Sequence, residues 1–397
     1  MKNLYFLLFI LLSTQFSYSQ SWVQKASLPS GYSVYAPFFF SIGGKLYVGG
    51  GWNNNFYNSF YMYDPATNLW AAKANVPDSV YAGAFFSING KAYVVSGRAD
   101  GYFSSAVYRY DPGTDTWTQM SDFGGAARQN TIGFALNGKG YVFGGFTGGS
   151  NVTNDMWEYN DSTDSWSQKA NCPGPMRDNP TGLVINNQAY VGMGSDVTGA
   201  TVYTDFYRFD PVADTFISVA NSPIGRATPA HFVLGGLGYI GMGVTSGGTV
   251  LQDFTTYDPS SNTWDTIVNF AAPGRQYTFS DTVNGQPYVG AGADLNNNIF
   301  YNDVWTYGYG LGIQTLSGNN APYCYPSPTS GDFIIDMSSC GSGEKQINIY
   351  DQVGQLVYQA STSQNKIQIS NILPAGLYEV SISDVSHSDH ARIVVTK

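Results

Sequence analysis

Charge is scarce in this chain. Of 397 residues only 12% are Asp, Glu, Lys or Arg, and 28 acidic against 18 basic residues leave a net charge of −10. A surface of that sign has nothing to offer a phosphate backbone, which excludes nucleic acid as the natural partner. Cysteine is scarcer still: Cys172, Cys324 and Cys340 are too few for a disulfide framework. Cys324 and Cys340 stand close enough in sequence to bridge in an oxidising compartment, with Cys172 left over. Histidine is limited to His231, His387 and His390. Long helical patterns of Ala, Leu, Glu and Lys are missing. No apolar run reaches the roughly 18 residues that suggest a bilayer-spanning helix. The run Leu4–Leu12, after Lys2 and before Ser17-Tyr18-Ser19, reads instead as a secretory signal cleaved ahead of Gln20.

What the chain does have is glycine and aromatics: 46 Gly, 30 Tyr and 24 Phe, a composition that favours strands and tight turns. The aromatics recur in register. "YDPATNLW" at Tyr63 returns as "YDPGTDTW" at Tyr110 and "YDPSSNTW" at Tyr257. The full set of marks is Tyr63, Tyr110, Tyr159, Phe209, Tyr257 and Tyr307, spaced 47–50 residues apart. Seven residues after the first five stand Trp70, Trp117, Trp166, Phe216 and Trp264. Upstream lies a second signature with Tyr47, Tyr93, Tyr141, Tyr190, Tyr239 and Tyr288, each followed four residues later by a glycine.

Each unit parses into four short strands. An apolar run such as Phe38–Ile42 passes through a Gly-Gly or Asn-Gly turn into a second strand. A variable loop leads to a third strand ending in the marked tyrosine, and an Asp-Pro turn leads to the tryptophan strand. In that turn Asp64 is placed to accept backbone N–H groups two residues on. One such sheet cannot bury both faces alone, so six should pack side by side, as blades of an all-β propeller. The sixth unit lacks a fourth strand. "WVQKA" at Trp22 matches "WSQKA" at Trp166 and "WAAKA" at Trp70, so the first mature residues should pair beside the segment around Trp305 and close the ring.

The glycine pair, the tyrosine and the spaced tryptophan resemble the kelch repeat, over about residues 22–309. The resemblance implies a six-bladed kelch β-propeller. After Tyr309 the pattern stops. "YPSPTSG", "IYDQVGQLV", "LPAGLYEVSI" and the terminal lysine are similar to the type A C-terminal sorting domain of type IX secretion substrates, with Ser327 where that family usually has Asn. This implies a small immunoglobulin-like β-sandwich, engagement of the type IX secretion machinery, and release or attachment at the cell surface. The expected organisation is a signal peptide over 1–19, a propeller over 20–309, a linker over 310–322 and a sorting domain over 323–397.

Catalytic motifs are thin. Copper oxidases of the galactose-oxidase type resemble the propeller but need two site histidines, and the propeller has only His231. His387 and His390 have loose metal spacing and read as a solvated pair. "ADLNNN" at Ala293 lacks the glycine and distal glutamate of a calcium loop. No cofactor and no metal is expected. Two constellations remain as ligand-binding candidates. Units three to six carry Arg128, Arg177, Arg226 and Arg275, and the same units carry Asp155, Asp205, Asp253 and Asp303. Units one and two have Val34 and Val80 with Ser59 and Ala106. Four guanidiniums could ring one channel mouth and draw an anionic sugar; their co-occurrence with the aspartates instead favours an Arg–Asp pair inside each blade. The second constellation is aromatic: Trp52, Phe56, Tyr57, Tyr102 and Phe103 in the variable loops of units one and two, with Tyr32, Tyr35 and Tyr81 nearby in sequence. Either these are platforms for a sugar or a protein partner, or they simply pack between loops. The expected function is an exported binding module for glycan or protein. The alternative is a sugar mutarotase resembling N-acetylneuraminate epimerase, to which no catalytic residue can be carried over.

Overall fold

The computed structural model describes residues 20–267, 269–309, 323–325, 332–337, 343–351, 356–370, 373–374, 376–383 and 388–395. The leader, the linker, Ser327, Cys340 and His387 lie outside them, and with Cys340 so does the Cys324–Cys340 pairing. Among the described residues every regular element is a strand. Among the described residues no helix is long and apolar enough to cross a membrane. The chain divides into two compact units, Met1–Gly310 and Leu311–Lys397.

The first unit is built from six four-stranded antiparallel sheets. Blade 1 runs Phe38–Ile42, Lys45–Gly49, Phe60–Asp64 and Leu69–Ala72 from inside to outside. The inner strands of blades 2 to 6 are Ala84–Ile88, Ile132–Leu136, Thr181–Ile185, Ala230–Leu234 and Phe279–Val283. Each inner strand touches the next, and Phe279–Val283 touches Phe38–Ile42, so the ring is closed. The closing piece is the N-terminal strand Gln20–Lys25, paired antiparallel to Val304–Tyr309 with Trp22 opposite Tyr307 and Gln24 opposite Trp305. Trp22 is 8% exposed and packs on Phe254, Phe270 and Tyr307 at ring-centroid distances of 5.2, 4.8 and 4.8 Å.

The repeated motif turns out to be a clamp between blades. The Asp of the turn works as expected, Asp64 Oδ1 accepting from Ala66 N at 2.9 Å. The position before the tryptophan strand adds more. Asn68, Asp115, Asp164, Asp214 and Asn262 all adopt positive φ, between 48° and 57°, a region that Asn and Asp enter at lower cost than other side chains. From there Asn68 Oδ1 accepts from Tyr63 Oη (2.7 Å) and from Ala26 N (2.9 Å) of the preceding blade. Trp70 Nε1 donates to Ala26 O at 2.9 Å. Blades 2 and 5 repeat this set, with Asp115 and Asn262 accepting and Trp117 and Trp264 donating across the seam. The tyrosine ring is buried and its hydroxyl satisfied, which is the condition for burying Tyr at no polar cost.

The second unit holds a three-stranded sheet, Tyr323–Tyr325, Asp332–Asp336 and Lys366–Ser370, and a four-stranded one, Leu356–Thr362, Lys345–Tyr350, Gly376–Ser383 and Ser388–Val395. Phe333, Ile335, Ile347, Ile349, Val380 and Ile382 alternate inward to form its core, in keeping with a small β-sandwich.

Candidate functional site

Two residues before each inner strand the backbone turns left-handed at Ala36, Ala82, Asn130, Asn179, Thr228 and Tyr277, with φ between 50° and 57°. Only two of these are Asn. For the rest the conformation costs on the order of 1–2 kcal/mol each and persists only where the surroundings enforce it. Here the enforcement is a relay of backbone hydrogen bonds around the axis. Ala82 N donates to Ala36 O (3.0 Å), Asn130 N to Ala82 O (2.6 Å), Asn179 N to Asn130 O (3.0 Å), Tyr277 N to Thr228 O (3.3 Å) and Ala36 N to Tyr277 O (2.9 Å). The preceding residue of each blade pairs with the one after the glycine: Tyr35 with Trp52, Tyr81 with Arg98, Gln129 with Phe146, Asp178 with Ser195. The two paired segments of each blade are thereby brought side by side next to the ring of left-handed residues.

Around the mouth most of the aromatics come from blades 1, 2 and 6, with the Arg98 guanidinium of blade 2 among them beside Tyr81. Blades 1, 2 and 6 supply a cluster centred on Tyr35, whose ring lies 5.5 Å from Trp52, 6.0 Å from Tyr81, 5.2 Å from Tyr277 and 6.1 Å from Phe300. Phe56 packs on Tyr81 at 5.7 Å. Blades 3 and 4 supply amides around one carboxylate: Asn130 Nδ2 and Asn179 Nδ2 donate to Asp178 Oδ2 at 3.2 and 2.9 Å. The buried Asp178 Oδ1 and Gln129 Oε1 have no hydrogen-bond partner among the described residues. Burial pushes the Asp178 carboxyl up to about 7, and the donors from Asn130 and Asn179 offset only part of it. Burial and the Asp178 charge both raise the Tyr277 phenol, and a side-chain hydrogen bond with Asn179 offsets part of the rise. Burial also carries Tyr35 up to about 12.

Of the aromatics singled out in the sequence, the fold brings Trp52 and Phe56 to this mouth together with Tyr35 and Tyr81. Tyr57 turns inward, 5.6 Å from the buried Tyr32, whose hydroxyl donates to Gly50 O. Phe103 packs on Phe146 at 5.7 Å, and Tyr102 stands 56% exposed on the small strand Tyr102–Phe103. Tyr277, Phe300, Asp178, Asn130 and Asn179 went unnoticed. A signal for three of them existed: Asp178, Asn130 and Asn179 occupy the two positions immediately after the arginine of their units.

The arginine ring needs correction. Arg128, Arg177, Arg226 and Arg275 are at most 1% exposed, and each lies within its own blade against Asp155, Asp205, Asp253 or Asp303. Arg177 is representative: Nη1 and Nη2 donate to Asp205 at 2.9 and 2.6 Å, Nη1 also to Met193 O and Nε to Pro175 O. A guanidinium removed from water must keep its counter-charge, and each of the four does, although the buried Nε of Arg226 has no hydrogen-bond partner among the described residues. Other candidates also resolve into structural roles. Cys172 is buried, and burial pushes its thiol up to about 11, the reverse of an activated nucleophile. Asp294 caps its own turn through Asn296 N and Asn297 N. Among the described residues no group of three or more His, Cys, Asp or Glu is placed to hold a metal.

Residues 38–234 match the model of the KLHDC2/KLHL20/DRC7 kelch-repeats domain, and residues 323–396 match that of the secretion system C-terminal sorting domain. Among solved structures, one titled "Structure of YjhT" superposes with a TM-score of 0.59 at 15% identity, covering 69% of this chain and 94% of that one. At that identity the likeness concerns the fold alone. No curated protein matches the chain. The protein is a kelch-repeat β-propeller with a type IX secretion C-terminal sorting domain, which directs it to the cell surface or beyond.

Proposed function

We propose that the exported propeller binds carbohydrate at the mouth formed by Tyr35, Trp52, Tyr81, Asn130, Asp178, Asn179 and Tyr277. One observation carries this reading: flat aromatic faces from blades 1, 2 and 6 converge on an amide–carboxylate cluster from blades 3 and 4. Sugars present the same division, with C–H faces that stack on aromatic rings and hydroxyls that need both donors and acceptors. The unpartnered Asp178 Oδ1 and Gln129 Oε1 would then accept from ligand hydroxyls. Residues 1–19 act as the leader in this reading, and the propeller of 20–309 is the part that remains at the surface once the tail has served export.

A glycan array probed with the mature chain tests the proposal, followed by titration of the best ligand against Trp52→Ala and Tyr81→Ala. Losing one stacked ring is expected to weaken binding by about tenfold. An array without hits, or a ligand bound equally by both variants, overturns it and leaves a protein partner as the occupant. A second reading, anomer exchange on the bound sugar, is favoured by the Asp178 carboxyl alone, which burial pushes up to about 7 and so into the range of a general acid–base group. Exchange NMR on free sugars with wild type and Asp178→Asn separates binding from turnover.

A further inference from the structure

Beyond the ring of left-handed residues, the six inner strands line an open cavity of about 290 Å³. Its walls are uneven. The second position of the inner strand is Phe39 in blade 1 and Phe85 in blade 2, with rings 4.2 Å apart. Blades 3 and 4 place Gly133 and Gly182 there, and blades 5 and 6 His231 and Ser280. Gly133 is obligatory, since a Cβ would fall 2.5 Å from Phe85 O. The cavity is therefore walled by aromatic rings in blades 1 and 2, by two residues without side chains in blades 3 and 4, and by polar groups in blades 5 and 6, the last of which adjoins blade 1.

The next position is more telling. It is Phe40, Phe86, Phe134, Leu183 and Phe232 in five blades, and Asp281 in the sixth. A carboxylate thus replaces an apolar residue where the repeat otherwise demands one. Thr282 N donates to Asp281 Oδ1 at 2.7 Å and Ser41 donates from blade 1, yet burial outweighs them and pushes the carboxyl up to about 6. Nothing lining the cavity balances this charge. It holds no Lys or Arg, and burial holds the His231 imidazole down at about 4, so that it is neutral. His231 Nδ1 and Ser87 Oγ are buried on the same wall system without a hydrogen-bond partner among the described residues.

An unbalanced carboxylate, orphaned acceptors and aromatic faces together describe a receptor for a cation that carries an apolar body. An inorganic ion finds no set of three ligands here, and an anion would face the one charge in the cavity. We propose that the channel is a second binding site, distinct from the mouth, that takes a small organic ammonium: its N–H donors on Asp281 and its body against Phe39 and Phe85.

The test is calorimetry on the full mature chain with benzylammonium and its neutral counterpart, benzyl alcohol. The ammonium is expected to bind at least about tenfold tighter, and Asp281→Asn to bring the two ligands level, because a charge-assisted bond is replaced by a neutral one. In the wild-type chain the His231 imidazole signal, assigned by its disappearance in His231→Gln, should shift on adding benzylammonium. This keeps the test decisive even if Asp281→Asn folds poorly. Equal affinity for the two ligands, binding that survives Asp281→Asn, or an unmoved His231 signal overturns the proposal.

Discussion

Replacing Asp205 by Ala should destabilise the propeller far more than its partly exposed position suggests. The side chain of Asp205 is 19% exposed, but that of its partner Arg177 is 0% exposed and gives it two hydrogen bonds, at 2.9 and 2.6 Å. Removing the carboxylate leaves a guanidinium with only Pro175 O and Met193 O as acceptors and no counter-charge. Breaking one side of a buried pair costs about 3–5 kcal/mol, and the water that reaches Asp205 moves the expectation to the lower end, about 3 kcal/mol. Blades 1 and 2 supply the control, because both partners are uncharged there: Val80 with Ala106 stands where blade 4 has Arg177 with Asp205. Arg177→Val/Asp205→Ala should therefore lose less than the sum of the single variants, with a coupling of about 2 kcal/mol. Urea unfolding followed by tryptophan fluorescence reads the propeller alone, since all 8 tryptophans lie between Trp22 and Trp305. An unfolding midpoint for Asp205→Ala equal to wild type, or a double variant as unstable as the sum, would show that the pairs do not hold the blades and reopen the arginines as a ligand ring.

Other consequences can be checked with the same fluorescence assay. Trp22→Ala removes a ring packed on Phe254, Phe270 and Tyr307 and should cost about 3–5 kcal/mol; a loss under about 1 kcal/mol would mean that the N-terminal strand does not close the ring. Asn262→Gly keeps the positive φ but deletes the acceptor for Ala220 N and Tyr257 Oη, with an expected loss of about 2 kcal/mol; no change would deny the clamp between blades. For Asp178 the folded carboxyl, at about 7, lies above its unfolded value. Its contribution is thus fully present below the unfolded pKa and is lost as pH rises towards 7. Asp178→Asn should accordingly be stabilising relative to wild type at pH 8 by roughly 2 kcal/mol more than at pH 5, and a difference independent of pH would refute the burial of that charge.

The propeller was legible because its determinants repeat where the sequence can be counted. Tyr63, Asn68 and Trp70 make contacts that blades 2 and 5 repeat across their seams, so the same types recur at the same offsets, and Trp22 betrays the displaced strand by sharing the company of Trp70 and Trp166. Arg177 and Asp205 were legible as a pair for the same reason, since a buried charge and its partner must be present or absent together. The mouth follows the opposite logic. Its backbone is a repeated ring, but each blade contributes side chains from positions 46–49 residues apart, and a useful site requires those side chains to differ. Tyr35, Asn130, Asp178 and Tyr277 therefore share geometry without sharing a pattern. In a chain this rich in aromatics, nothing local told Trp52, which packs on Tyr35, from Tyr57, which packs on Tyr32. What distinguishes a site from its scaffold here is departure from the repeat at a position the repeat makes equivalent. By that criterion Asp178 at the mouth and Asp281 in the channel are the two residues whose chemistry the fold does not explain and a ligand would.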